Sequence, residues 1–206
     1  MLYDPFEIER TSLNIIDKRI SGMYSGSKLN LEIIKRVIHA TADFDFVELL
    51  EFSHDVVTRA HEAFKNSVPL VTDTKMLASG INKKISSSLG VKIIQPDDSE
   101  NIFDEARERK ITRSIINIEH AVKNYPDAIF VIGNAPTALI RLCELVISGN
   151  AKPALIIGVP VGFVNVIESK NMLAEINDIP KIISHGNKGG STVACAIVNA
   201  LLYSLK

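Results

Sequence analysis

Two short apolar runs dominate the pattern, Ile129–Ile132 and Ala154–Ile157, and each closes on a glycine. Their length and Ile/Val content suit strands buried on both faces of a parallel sheet. A helical pattern follows each. After the first, Gly133 and Asn134 form a turn, Pro136 enters the helix, and Leu139, Leu142, Leu145 and Val146 recur at helical spacing. After the second, Gly158, Pro160 and Gly162 hold an irregular loop before a helix over 164–173. Earlier in the chain, Asp4, Pro5 and Glu7 spell a helix start, with Asp4 as cap and Glu7 reaching back. Ile8, Ile15, Ile16 and Ile20 predict its buried stripe, on which Ser12 falls. A second helix over about 30–42 sets Leu31, Ile34, Ile38 and Thr41 inward, and Glu32, Arg36, His39 and Asp43 on another face.

The remaining pattern reads as a partly alternating strand over 44–52 and a helix over 53–65. A strand follows at Val68–Val71, then a short helix over 74–80 with Gly80 as its stop. Val91–Ile94 is another strand, and 102–124 is one long helix or two. Pro180–Ser184 is the last strand, and a glycine loop from His185 opens a final helix over about 191–202. Repeated strand-to-helix turns predict one doubly wound α/β domain over residues 1–206, with about five strands in a mainly parallel sheet. Ligands in such sheets bind outside the carboxyl ends of the strands, where these glycine turns fall.

Composition narrows the partners. The chain has 206 residues, 46% hydrophobic and 23% charged, with a net charge of −1. No block of like charges supports a nucleic-acid partner. No apolar run reaches the roughly 20 residues of a membrane span, and no leader pattern opens the chain, so a cytoplasmic protein is expected. Cys143 and Cys195 lie in apolar helical patterns and read as small buried hydrophobes. No metal site is expected, since His54 and His61 lack a third ligand.

Several residues carry candidate chemistry. Periodicity alone reads Ser12 as bonding a backbone carbonyl one turn back. His39 is either part of a solvated face or an acid–base group whose charge Asp43 tunes. Asp73 ends a strand, where it can cap a helix or contact a ligand. Arg113 is a surface arginine or a carboxylate clamp. The loop H-G-N-K-G-G-S-T, residues 185–192, exposes backbone N–H groups at a helix start and so suits an anion. It is neither of the two common nucleotide-binding glycine fingerprints.

In chain order, R-V-I-H-A-T-A-D (from Arg36), D-T-K-M-L-A-S-G (from Asp73), G-N-A-P-T-A-L (from Gly133), P-V-G-F-V (from Pro160), E-S-K (from Glu168) and K-G-G-S (from Lys188) resemble the precorrin-8X methylmutases of cobalamin biosynthesis. The resemblance runs from about Ile8 to Leu202, and Leu13 replaces an aromatic usual after the family's serine. It implies a three-layer, flavodoxin-like fold and a homodimer with sites near the subunit interface. It also implies an isomerase that moves a methyl group from carbon 11 to carbon 12 of a corrinoid macrocycle. Precorrin-8X would become hydrogenobyrinate, or cobalt-precorrin-8 would become cobyrinate, without a cofactor. By the same resemblance His39 is catalytic. Ser12, Arg36, Asp73, Arg113, Asn134, Lys170, Lys188, Gly190 and Ser191 bind substrate. Two other classes remain open: a non-catalytic corrinoid binder, and a flavodoxin-like flavin binder. The absence of Trp and the presence of only four Tyr leave the latter few stacking rings.

Overall fold

A computed structural model describes residues 3–205. Six strands form one sheet: β1 (Leu50–Phe52), β2 (Leu70–Thr72), β3 (Ile93–Ile94), β4 (Ile129–Ile132), β5 (Leu155–Gly158) and β6 (Lys181–Ser184). Their spatial order is β1-β6-β5-β4-β2-β3, and only β1 runs antiparallel, pairing Leu50 with Ser184. The five parallel strands, taken alone in chain order, stand 2-1-3-4-5 across the sheet. That is the flavodoxin arrangement, and its switch point lies between β2 and β4.

Strand pleating divides the core into two layers. Ile129 and Val131 of β4 face a cluster with Ile34, Ile38, Phe64, Leu77 and Ile197. Phe130 and Ile132 face the other side, with Ile118, Leu139, Leu142 and Leu173. The first layer holds α1 (Pro5–Ile20), α2 (Lys28–Thr41), α4 (Val56–Lys65), α5 (Lys75–Gly80) and α11 (Ser191–Tyr203). The second holds α8 (Arg113–Asn124), α9 (Pro136–Ile147) and α10 (Val166–Ala174). α3 (Phe46–Leu49) and α6 (Lys83–Ser88) join the first layer through Phe46, Val47 and Ile85, and α7 (Glu100–Glu108) packs Ile102 and Ala106 against Ile116 of α8. Each large apolar side chain buried this way contributes roughly 1.5–3 kcal/mol.

Local signals account for most helix ends. Asp4 Oδ1 accepts from Phe6 N at 3.0 Å with Pro5 in the first turn. Thr74 Oγ1 accepts from Leu77 N at 3.1 Å. The 102–124 region is two helices because Lys110 turns left-handed (φ 53), after which Ile111 N donates to Ala106 O at 3.0 Å.

Three expectations are corrected. Ile8 and Ile15 are exposed; only Ile16 and Ile20 of the four are buried. Adjacent helix positions point about 100° apart, so Ile15 cannot share the face of Ile16. The 44–52 segment is mostly the short helix α3, and only its last three residues pair as strand. Gly80 does not stop α5 by a left-handed turn. It makes room for α11, since a Cβ there would stand 2.6 Å from Cys195 Sγ.

Candidate active site

The switch point opens into a crevice of about 360 Å³. Asp73 shapes it from the end of β2. Its Oδ1 accepts from Gly133 N at 3.0 Å, and its Oδ2 accepts from Asn134 N at 2.7 Å and Ala135 N at 2.8 Å. One carboxylate thus clasps the whole β4–α9 turn and fixes the mouth of the crevice. Burial pushes this carboxyl above its ordinary value, and the three amides pull it back. Thr74, Lys75, Asp98, Arg113, Asn117 and the exposed Asn134 are among its other walls. An adjoining cavity of about 240 Å³ shares Asp73, Ser114 and Asn117 and reaches Thr72, His120 and Tyr125. Arg113 also stands over the Phe103 ring, 4.2 Å from its centroid.

The glycine loop borders the crevice through Ser191, whose Oγ is 3.0 Å from Thr74 Oγ1. Gly190 has φ +120, a conformation that favours glycine. The close backbone approach belongs to its neighbour. A Cβ on Gly189 would stand 2.3 Å from Val159 O, while one on Gly190 would meet only Val161, its Cγ1 at 3.7 Å. Gly190 caps α11 without any side-chain hydrogen bond, so the first N–H groups of the helix stay open to an anion. Across the loop from β5, Phe163 and Val164 are 91% and 76% exposed, and Met76 beside the crevice is 72% exposed. Cations and open amides therefore share this end of the sheet with bare apolar side chains.

The lysines of this region are already engaged. Lys170 is 1% exposed, and its Nζ donates to Gly186 O at 2.7 Å and Lys188 O at 2.9 Å. It clamps the loop from beneath rather than facing the crevice. Lys188 Nζ reaches Asp43 and Asp45, both at 2.6 Å, and ties the loop to the end of α2. Asp43 therefore answers Lys188 and not His39.

Burial lowers the Lys170 ammonium from 10.5 to about 8. Its depressed value means that the unfolded chain binds more protons between those two pH values, so stability rises with pH there. Unfolding of wild type and Lys170→Met, followed in urea across pH 7–11, should show the wild-type advantage growing by up to about 3 kcal/mol between about pH 8 and 10.5. A pH-independent difference would mean that the ammonium is not strained by burial.

Ser12, Arg36 and His39 form a separate group on α1 and α2. Ser12 is half-buried and has no hydrogen-bond partner among the described residues, so the expected back-bond to a carbonyl is not formed. Arg36 Nη1 pairs with Glu9 Oε1, and its guanidinium stands 5.6 Å from the Tyr203 ring centroid. His39 is exposed and makes no hydrogen bond or ion pair with any described residue. Within one chain the structure joins Asp73, Arg113 and Asn134 in the crevice and sets Gly190 and Ser191 at its edge. Ser12, Arg36 and His39 do not line the crevice; they sit on α1 and α2, which pack in the same layer as α5 and α11. Lys75 was missed from sequence, although a cation directly after a strand-end Asp-Thr pair is a readable signal.

These features define a flavodoxin-type α/β protein with a polar, charge-lined crevice at the switch point of its sheet. The model of the precorrin-8X methylmutase family matches residues 7–204, and the chain belongs to that family, a group of isomerases. It is 40% identical over 210 residues to the cobalt-precorrin-8 methylmutase of Salmonella typhimurium, covering 100% of this chain and 98% of that one. With the cobalt-precorrin-8 methylmutase of Synechocystis it shares 39% over 201 residues, covering 91% and 90%. The crystal structure of the Thermus thermophilus precorrin-8X methylmutase superposes with a TM-score of 0.87 at 34% identity, covering 96% of each chain.

Proposed function

We propose that this protein moves the methyl group on carbon 11 of a corrinoid macrocycle to carbon 12, converting cobalt-precorrin-8 to cobyrinate or precorrin-8X to hydrogenobyrinate. The observation that carries this reading is the mixed character of the strand-end surface. A flat ring with carboxylate arms needs bare apolar side chains for its face and cations or amides for its rim. Met76, Phe163 and Val164 supply the first, and Lys75, Arg113 and the open end of α11 supply the second. No residue lining the crevice is aromatic, which disfavours the flavin reading. The cobalt-containing substrate is favoured by the names of several relatives of 38–40% identity.

The shift is intramolecular: the bond from the methyl to carbon 11 breaks as the bond to carbon 12 forms, so no donor or nucleotide enters the balance. The protein holds the ring and adjusts its charge. His39, exposed and without a partner among the described residues, is the group free to donate a proton or hydrogen bond to the ring as its bonding reorganises. Arg36 and Ser12 on the same pair of helices would anchor it. The family resemblance implies a homodimer, and in it a second copy could bring the α1–α2 group of one chain over the crevice of the other. The exposed Phe6, Ile15, Phe163 and Val164 support such a contact. No described helix is long and apolar enough to cross a membrane, in keeping with a cytoplasmic enzyme.

The test is to incubate chelated, dialysed protein with the cobalt-containing and the metal-free substrate and follow the absorption spectrum. Conversion of at least one without added nucleotide or metal is expected. Binding without conversion would make the protein a corrinoid carrier. Turnover that returns only with an added nucleotide or metal would overturn the mechanism.

A further inference from the structure

The two cations of the crevice are not free, and the group that occupies them is a carboxylate of the chain itself. Asp98 Oδ2 lies 2.8 Å from Lys75 Nζ, and Asp98 Oδ1 lies 3.7 Å from Arg113 Nη1. The turn presenting Asp98 is tied on both sides. Asp97 N donates to Asn117 Oδ1 at 2.7 Å, and Asn117 Nδ2 donates back to Asp97 O at 3.1 Å. Ser99 N and Ser99 Oγ donate to the Asp97 carboxylate at 2.8 and 2.9 Å. Asp98 has no hydrogen bond or ion pair beyond the two cations among the described residues. Its side chain can therefore rotate away while the backbone stays fixed.

Taking the crevice as the carboxylate-binding site proposed above, we propose that Asp98 is an internal competitor for the substrate's carboxylate arms and sets how tightly the crevice holds them. With Asp98 in place, Lys75 and Arg113 both face its carboxylate, and the Asp73 and Asp97 carboxylates stand close by. A ligand with a single carboxylate only exchanges for Asp98 and adds no ion pair. A ligand with two or more arms answers Lys75 and Arg113 separately. Both cations and Asp98 are about half exposed, so each pair contributes at the level of surface ion pairs. That is weak enough for a polycarboxylate to displace Asp98, and each pair lowers the affinity for an incoming carboxylate by a few fold.

The probes are tricarballylate and acetate, titrated calorimetrically into wild type, Asp98→Asn and Asp98→Asn with Lys75→Met. A parallel arm measures KM for the corrinoid. Asp98→Asn should bind tricarballylate about two- to 30-fold more tightly, since two exposed pairs worth about 0.2–1 kcal/mol each are relieved. Acetate, which needs to displace Asp98 from one cation only, should gain by a smaller factor, KM should fall alongside the tricarballylate Kd, and adding Lys75→Met should cancel the gain. Equal or weaker tricarballylate binding by Asp98→Asn would overturn the proposal, because Asp98 would then be orienting the cations for substrate. The calorimetric arm needs no turnover, so failure of the methyl shift would strike the proposed reaction and leave the role of Asp98 standing.

Discussion

His39→Ala should slow single turnover by about 10²–10⁴ while product affinity stays near wild type, because a positioned acid or base contributes on that order. The side chain is exposed and bonds to no described residue, so its loss removes no packing and leaves no orphaned partner. The variant should therefore fold with an unchanged urea midpoint. The anchoring groups in the crevice, Lys75 and Arg113, are untouched by the change. The measurements are the single-turnover rate and the dissociation constant of the coloured product, made on the same preparation. A rate near wild type with affinity intact would remove His39 from the chemistry and return it to the solvated face of α2.

Asp73→Ala should be the most destabilising change at the site, by roughly 3–5 kcal/mol, since three backbone donors lose a charged acceptor together. Gly133, Asn134 and Ala135 all donate to this one carboxylate, and it joins the ends of β2 and β4 across 60 or more residues of chain. For a chain of this length the melting temperature should fall by about 6–20 °C. Asp73→Asn should recover only part of the loss, because its amide N–H₂ must face at least one of the same donors. Urea unfolding with an unchanged slope checks the magnitude. A loss below about 1 kcal/mol would mean that the turn is held by β4 and α9 alone.

The class of fold was readable because its signals are local. The runs Ile129–Ile132 and Leu155–Gly158 are too short and too branched for helices, and both are wholly buried. Pro136 in the first turn of α9 and Asp4 capping α1 did what those residue types do anywhere. Where local periodicity was stretched over too many positions it failed, as at Ile8 and Ile15. It also failed at 44–52, where a helical turn and an antiparallel edge strand share a segment too short to show either period.

The sequence by itself determined a doubly wound sheet, its glycine turns at the strand ends, and the motif residues of a methylmutase. Strand burial and turn geometry are set by neighbours a few residues apart, so they are written in the chain. What only the tertiary structure decided is which charge meets which. Arg36 is taken by Glu9, Lys188 by Asp43 and Asp45, and Lys75 with Arg113 by Asp98. Lys170, expected from the resemblance to bind substrate, is a buried clamp on two loop carbonyls. Ion pairing and burial depend on distances through space between elements far apart in sequence, and those distances exist only once the layers have packed.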